Sequence, residues 1–119
     1  MLIDKNKLNA AFKDMRTAGL FARQSWKCCQ NCGCAAIPPD DKIGYCFYHA
    51  QDNADRKDGN DFFLAFGINN TPDMSADVMG RQVSKVAHIV KTSLESNDIP
   101  FEWDGSNNTR FCILQKQGN

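Results

Sequence analysis

The chain has 119 residues, the length of a single domain, and its 14 Lys plus Arg balance 14 Asp plus Glu to a formal net charge of zero. That balance excludes a global field able to gather nucleic acid or an acidic membrane surface. With 42% hydrophobic and 24% charged residues it has ordinary globular usage, and no apolar run is long enough for a signal peptide or a membrane span.

The first element is a helix over about residues 5–18. Asp4 is placed to cap it, with Ile3 stapling onto Leu8 across the cap. Leu8, Ala11, Phe12 and Met15 recur at helical spacing as one apolar stripe, and Gly19 suits the left-handed position that ends it, with Leu20 folding back onto Met15. Residues 20–27 alternate weakly and predict a short strand leading into the cysteine run WKCCQNCGCA. AAIPPDDK follows and reads as a loop. GYCFYHAQD predicts an aromatic strand, in which Tyr45, Phe47, His49 and Gln51 share one face and Cys46, Tyr48, Ala50 and Asp52 the other. NADRKDGN reads as a polar loop and DFFLAFGI as the returning strand, so residues 44–68 predict an antiparallel hairpin with a long connection.

Thr71-Pro72 or Ser75 starts a second helix. Met79, Val83, Val86, Val90 and Leu94 form its core stripe, with Arg81, Lys85 and His88 on the outer face. Asn97 and Pro100 end it. PFEWDG and TRFCILQ close the chain as a hairpin about a DGSNN turn, with Trp103 in the core. Hairpins joined by helices predict an α+β domain spanning residues 1–119, with an antiparallel or mixed sheet of about four to five strands and two helices on one face.

Four of the six cysteines, Cys28, Cys29, Cys32 and Cys34, fall within seven residues. With no leader ahead of them they are expected as reduced thiols in the cytosol. A bridge between Cys28 and Cys29 is geometrically poor, since adjacent Cα atoms stand about 3.8 Å apart and disulfides want about 4.4–6.8 Å. Three readings of the run stay open. Cys29 and Cys32 have the C-x-x-C spacing of a metal knuckle, and a set of Cys29, Cys32, His49 and either Cys28 or Cys34 suits zinc. In a second reading Cys28 or Cys29 is a nucleophile with His49 as base; Gln51 then orients the imidazole better than Asp52, which a regular strand turns to the other face. In the third the cysteines are small hydrophobes in a tight turn, as Cys46 and Cys112 are expected to be in their strands. His49 by itself is most simply a core or edge histidine with one satisfied nitrogen. Gln51 and Asp52 most simply cap the next turn. Arg81, Lys85 and His88 most simply make a solvated face, with a protein-contact surface as the alternative. No phosphate loop, dinucleotide fingerprint, H-E-x-x-H or G-x-S-x-G occurs.

The succession AGLFARQSWKCCQNCG, GYCFYHAQD and FEWDGSNNTR resembles a family of bacterial domains of unknown function, marked by a CC-x-x-CG turn, a FYH-x-QD-like strand and a WDG-like hairpin. The matching positions are Cys28, Cys29, Cys32 and Gly33, then Phe47, Tyr48, His49, Gln51 and Asp52, then Trp103, Asp104 and Gly105. Cys34 and Cys46 stand outside that pattern. The resemblance therefore implies Cys28, Cys29, Cys32 and His49 as the better metal set, in an intracellular bacterial domain, and brings no activity with it. The expected function is a binding or accessory domain in the cytoplasm, with an enzyme using a Cys–His pair, or a structural interaction protein, as alternatives.

Overall fold

The structure is a computed structural model that describes residues 4–26, 44–68, 75–106 and 109–115. The cysteines at 28, 29, 32 and 34, the proline-bearing loop after them, Ile3, Thr71-Pro72 and the two asparagines of the last turn lie outside the described residues. The element order is α1 (Lys5–Thr17), β1 (Leu20–Arg23), β2 (Gly44–Phe47), α2 (Ala50–Lys57), β3 (Phe62–Gly67), α3 (Ala76–Ser96), β4 (Phe101–Glu102) and β5 (Phe111–Ile113).

Helix α1 begins as its sequence predicts, the Asp4 carboxylate accepting the Asn6 amide at 2.9 Å. It ends at Gly19, whose φ of 105° is open to glycine at no steric cost. Leu8, Ala11, Phe12 and Met15 are all buried. Helix α3 is capped by Ser75 and ends at Asn97; Val86, Val90 and Leu94 are buried while Arg81, Lys85 and His88 are exposed.

The five strands form one mixed sheet in the order β1-β2-β3-β5-β4. β1 runs parallel to β2, and the other neighbours are antiparallel. The α+β expectation and the closing hairpin are both met. The core gathers Leu8, Phe12, Met15, Val86, Val90 and Leu94 from α1 and α3 against Leu20, Ala22, Cys46, Tyr48, Phe62, Leu64, Phe111 and Ile113 of the sheet region. These sheet residues alternate along each segment, as one packed face requires. On the opposite face Phe21, Phe47 and Ala65 are buried too, which explains why β1 and β2 read as nearly unbroken apolar runs.

Two features of the aromatic segment depart from the sequence reading. The strand stops at Phe47, and a third helix, α2, occupies the stretch read as a strand end and a polar loop. The reason is local. His49 caps α2 and Asp52 stands at its third position, a side-chain arrangement analogous to a capping box. Asp52 lies in the first turn, Arg56 and Lys57 in the last, each sign matching its end of the helix dipole. Burial adds little, since Asp52 is the buried residue of this helix. Instead the buried Gln115 side chain donates to the Arg56 carbonyl at 3.1 Å and the Asn60 carbonyl at 2.7 Å, tying the end of α2 to the chain after β5.

Candidate functional site

His49 sits where β2 gives way to α2. Its Nδ1 accepts the amide of Asp52 at 3.2 Å, which assigns the neutral ring's proton to Nε2. Nε2 in turn lies 3.1 Å from Asp52 Oδ2. Asp52 Oδ1 accepts the amide of Phe63 at 3.3 Å. One buried carboxylate therefore couples the imidazole, the first turn of α2 and strand β3. A strand over 49–52 would have turned Asp52 away from the ring; the helical turn brings it close, and Gln51 points into solvent as an exposed residue. Asp52, not Gln51, is thus the partner of His49. Both ring nitrogens are directed at Asp52, so no lone pair faces outward to take a thiol proton or an ion.

Tyr48, one residue earlier, points into the core. Its ring is fully buried edge-on against Phe12 and Phe62, at centroid distances of 5.8 and 5.3 Å. Its hydroxyl donates to Gln24 Oε1 at 2.9 Å and accepts from Lys5 Nζ at 3.2 Å. Lys5 also donates to Gln24 Oε1, whose amide nitrogen is held by Asn9 Oδ1 at 2.9 Å. Burial raises the Tyr48 phenol to about 12, against the opposing pull of Arg56. Burial and, after it, the Arg56 charge lower Lys5.

A shallow cleft of about 420 Å³ opens on the second face of the sheet, lined by Phe63, Glu102, Trp103, Asp104, Thr109, Arg110 and Cys112. Register makes this a single surface, because Cys112 pairs with both Phe63 and Glu102. Arg110 stacks on the half-exposed Phe63 ring at 4.7 Å. Trp103 stacks on Phe111 at 4.6 Å and its indole donates to the Ser106 and Thr109 carbonyls, so the WDG segment is a closed turn.

Of the residues singled out from sequence, His49 and Asp52 meet, Gln51 stands apart, and Cys28, Cys29, Cys32 and Cys34 lie outside the described residues. Neither described cysteine is disposed to ionise. Cys46 is fully buried and burial pushes its thiol far up; Cys112 is raised by burial and then by Asp61 and Glu102. Among the described residues no three His, Cys, Asp or Glu side chains group to hold a metal ion, and no helix is long and apolar enough to cross a membrane. Sequence reading missed the cluster of Lys5, Gln24 and Tyr48, since nothing in chain order joins the start of α1, the end of β1 and the residue after β2.

The Trp26 amide donates to the Tyr48 carbonyl at 2.8 Å, so the chain entering the cysteine run departs beside His49. A family model described as Domain of unknown function (DUF6891) matches residues 2–117. No curated protein and no solved structure matches the chain.

Proposed function

Since the chain belongs to the DUF6891 family of domains of unknown function, we propose from its geometry that it serves as a small binding or accessory domain whose cysteine run holds a metal ion. The setting is a bacterial cytosol, where thiols stay reduced. Cys28, Cys29 and Cys32 supply thiolates, and zinc is the ion that such a set favours. The observation that carries this reading is the hydrogen bond from Trp26 to Tyr48. Cys28 follows Trp26 by two residues in the chain, which supports this reading.

His49 joins such a site as a fourth donor only by releasing the Asp52 amide, because Nδ1 is committed to it and Nε2 faces the carboxylate. The Cys–His nucleophilic pair requires the same release and gains no support from the described rotamer.

Elemental analysis of protein purified without added metal tests the proposal. About one equivalent of zinc is expected, and chelation then lowers the melting temperature by mass action. Less than about a tenth of an equivalent of any transition metal would end the reading, since a structural site of this kind is filled in the folded state. His49→Ala separates the roles of the ring: unchanged zinc content leaves the imidazole on its helix, and lost zinc makes it a ligand.

A further inference from the structure

The cleft on the second face of the sheet shares no lining residue with the cysteine run or with the His49–Asp52 pair. Its volume of about 420 Å³ lies within the range of about 300–1,000 Å³ in which small ligands are held. Its floor is a cross-strand row: Cys112 of β5 pairs with Phe63 of β3 on one side and with Glu102 of β4 on the other. Phe63 is the large apolar side chain that the described residues leave exposed, at 38%. A ring left in water inside a concavity is apolar area for an incoming group to cover.

Charge is divided across this floor. Glu102 stands on one side of Cys112. Arg110 lies two residues before Cys112, hence on the same side of the chain, and its guanidinium sits over the Phe63 ring at 4.7 Å. Stacking occupies the flat face of a guanidinium and leaves its N–H edge for hydrogen bonds. Diagonal neighbours on one face of an antiparallel pair stand about 7–8 Å apart. The two long side chains can therefore close on one small molecule from opposite sides.

The remaining wall is set in place. Both Asp104 oxygens are committed within the turn, to the Ser106 amide at 2.8 Å and the Thr109 hydroxyl at 3.2 Å. Trp103 is stacked on Phe111 at 4.6 Å, with its indole N–H held by two carbonyls. The Phe63 amide is held by Asp52 at 3.3 Å. Glu102 is the carboxylate of the cleft that the turn does not use.

We propose that this cleft binds a free α-amino acid with an apolar side chain: the ammonium on Glu102, the carboxylate on the Arg110 N–H edge and the side chain on Phe63. Charge complementarity carries the choice. A carboxylate set against a guanidinium beside an exposed ring matches a small zwitterion with an apolar arm, and suits neither a plain anion nor a plain cation. The site uses none of the proposed metal ligands.

Titration of the full chain with L-phenylalanine at constant ionic strength, followed by calorimetry and by thermal shift, tests it. Saturable binding is expected with Kd at or below about 1 mM, together with a rise in melting temperature. Phenethylamine lacks the carboxylate, hydrocinnamate the ammonium and glycine the apolar arm; each should bind at least about tenfold more weakly. Glu102→Gln, Arg110→Gln and Phe63→Ala should each weaken L-phenylalanine by at least about tenfold. All three side chains are exposed, so these variants should melt close to the parent without ligand. Backbone amide shifts of the parent locate the site with no substitution at all: the largest changes should fall at Phe63, Glu102, Arg110 and Cys112. Three results would overturn the proposal. One is no saturation by about 20 mM L-phenylalanine, well beyond the expected constant. Another is phenethylamine or hydrocinnamate binding as tightly as the zwitterion, which would mean that the paired charges are not read. The last is a set of shift changes centred away from the cleft, or a folded Glu102→Gln protein that binds like the parent.

Discussion

At the scale of single residues, the Asp52 carboxylate does the most work for its size. It is buried, accepts the Phe63 amide and faces the His49 ring. Removing it leaves the part-buried Phe63 amide without its acceptor, at a cost of about 1 kcal/mol. Asp52→Ala should therefore lower the unfolding free energy read from urea titration by about that amount. His49→Ala removes the cap of α2 and should cost about 0.5–2 kcal/mol, whereas His49→Asn keeps a capping oxygen and should cost little. The double variant Asp52→Ala/His49→Ala should lose less than the sum, because the two side chains share one contact. Urea unfolding of the four proteins checks all three statements. Equal losses for His49→Ala and His49→Asn would show that the imidazole matters for more than its cap.

Elements meet most tightly where β2, β3 and α3 come together. A Cβ on Gly44 would fall 2.4 Å from the Gly67 carbonyl oxygen and 2.6 Å from Val86 Cγ2. The first of these is backbone and cannot swing aside. Gly44→Ala must therefore spread β2 from β3 or lift α3, at about 1–3 kcal/mol, seen as a lower melting temperature. Gly80→Ala is the matching control: its Cβ would meet nothing within 4 Å, and alanine is the better helix former by about 1 kcal/mol. The glycines in strand and helix thus call for opposite outcomes from the same change. At this scale the sequence was largely legible. Periodicity marks α1 and α3 because each buries one stripe, and Asp4, Gly19, Ser75 and Asn97 end them where their chemistry says they should. It failed at α2, a helix held by its cap and by Gln115, with almost no apolar stripe to betray it.

The whole molecule should respond to alkali through the groups its core surrounds. The Tyr48 phenol is raised from 10.0 to about 12, so its contribution is intact below pH 10 and is lost as pH rises through about 12. Cys46 is also raised by burial, and it acts in the same sense from pH 9 upward. Lys5 is lowered and opposes them weakly, its penalty easing as pH approaches 10.5. Stability should hold to about pH 9 and then fall, and Tyr48→Phe should flatten the part of the fall between pH 10 and 12. Urea midpoints measured against pH, with absorbance of the phenolate, check this; a parent-like fall in the variant would remove Tyr48 as a cause.

The amino-acid sequence by itself determined the α+β class, the long helices and their ends, the inward alternation of the strands, the turn at Trp103-Asp104-Gly105 and the importance of position 49. These are set by neighbours within a few residues, through periodicity, caps and turn geometry. Only the tertiary structure decided that Asp52 faces His49, that β1 lies parallel to β2 with Trp26 bonded to Tyr48, and that Lys5 and Gln24 share the Tyr48 hydroxyl. Such meetings join distant parts of the chain, or turn on whether two residues belong to a strand or a helix. Their geometry follows from how the sheet and its helices close around the core, which no local pattern encodes.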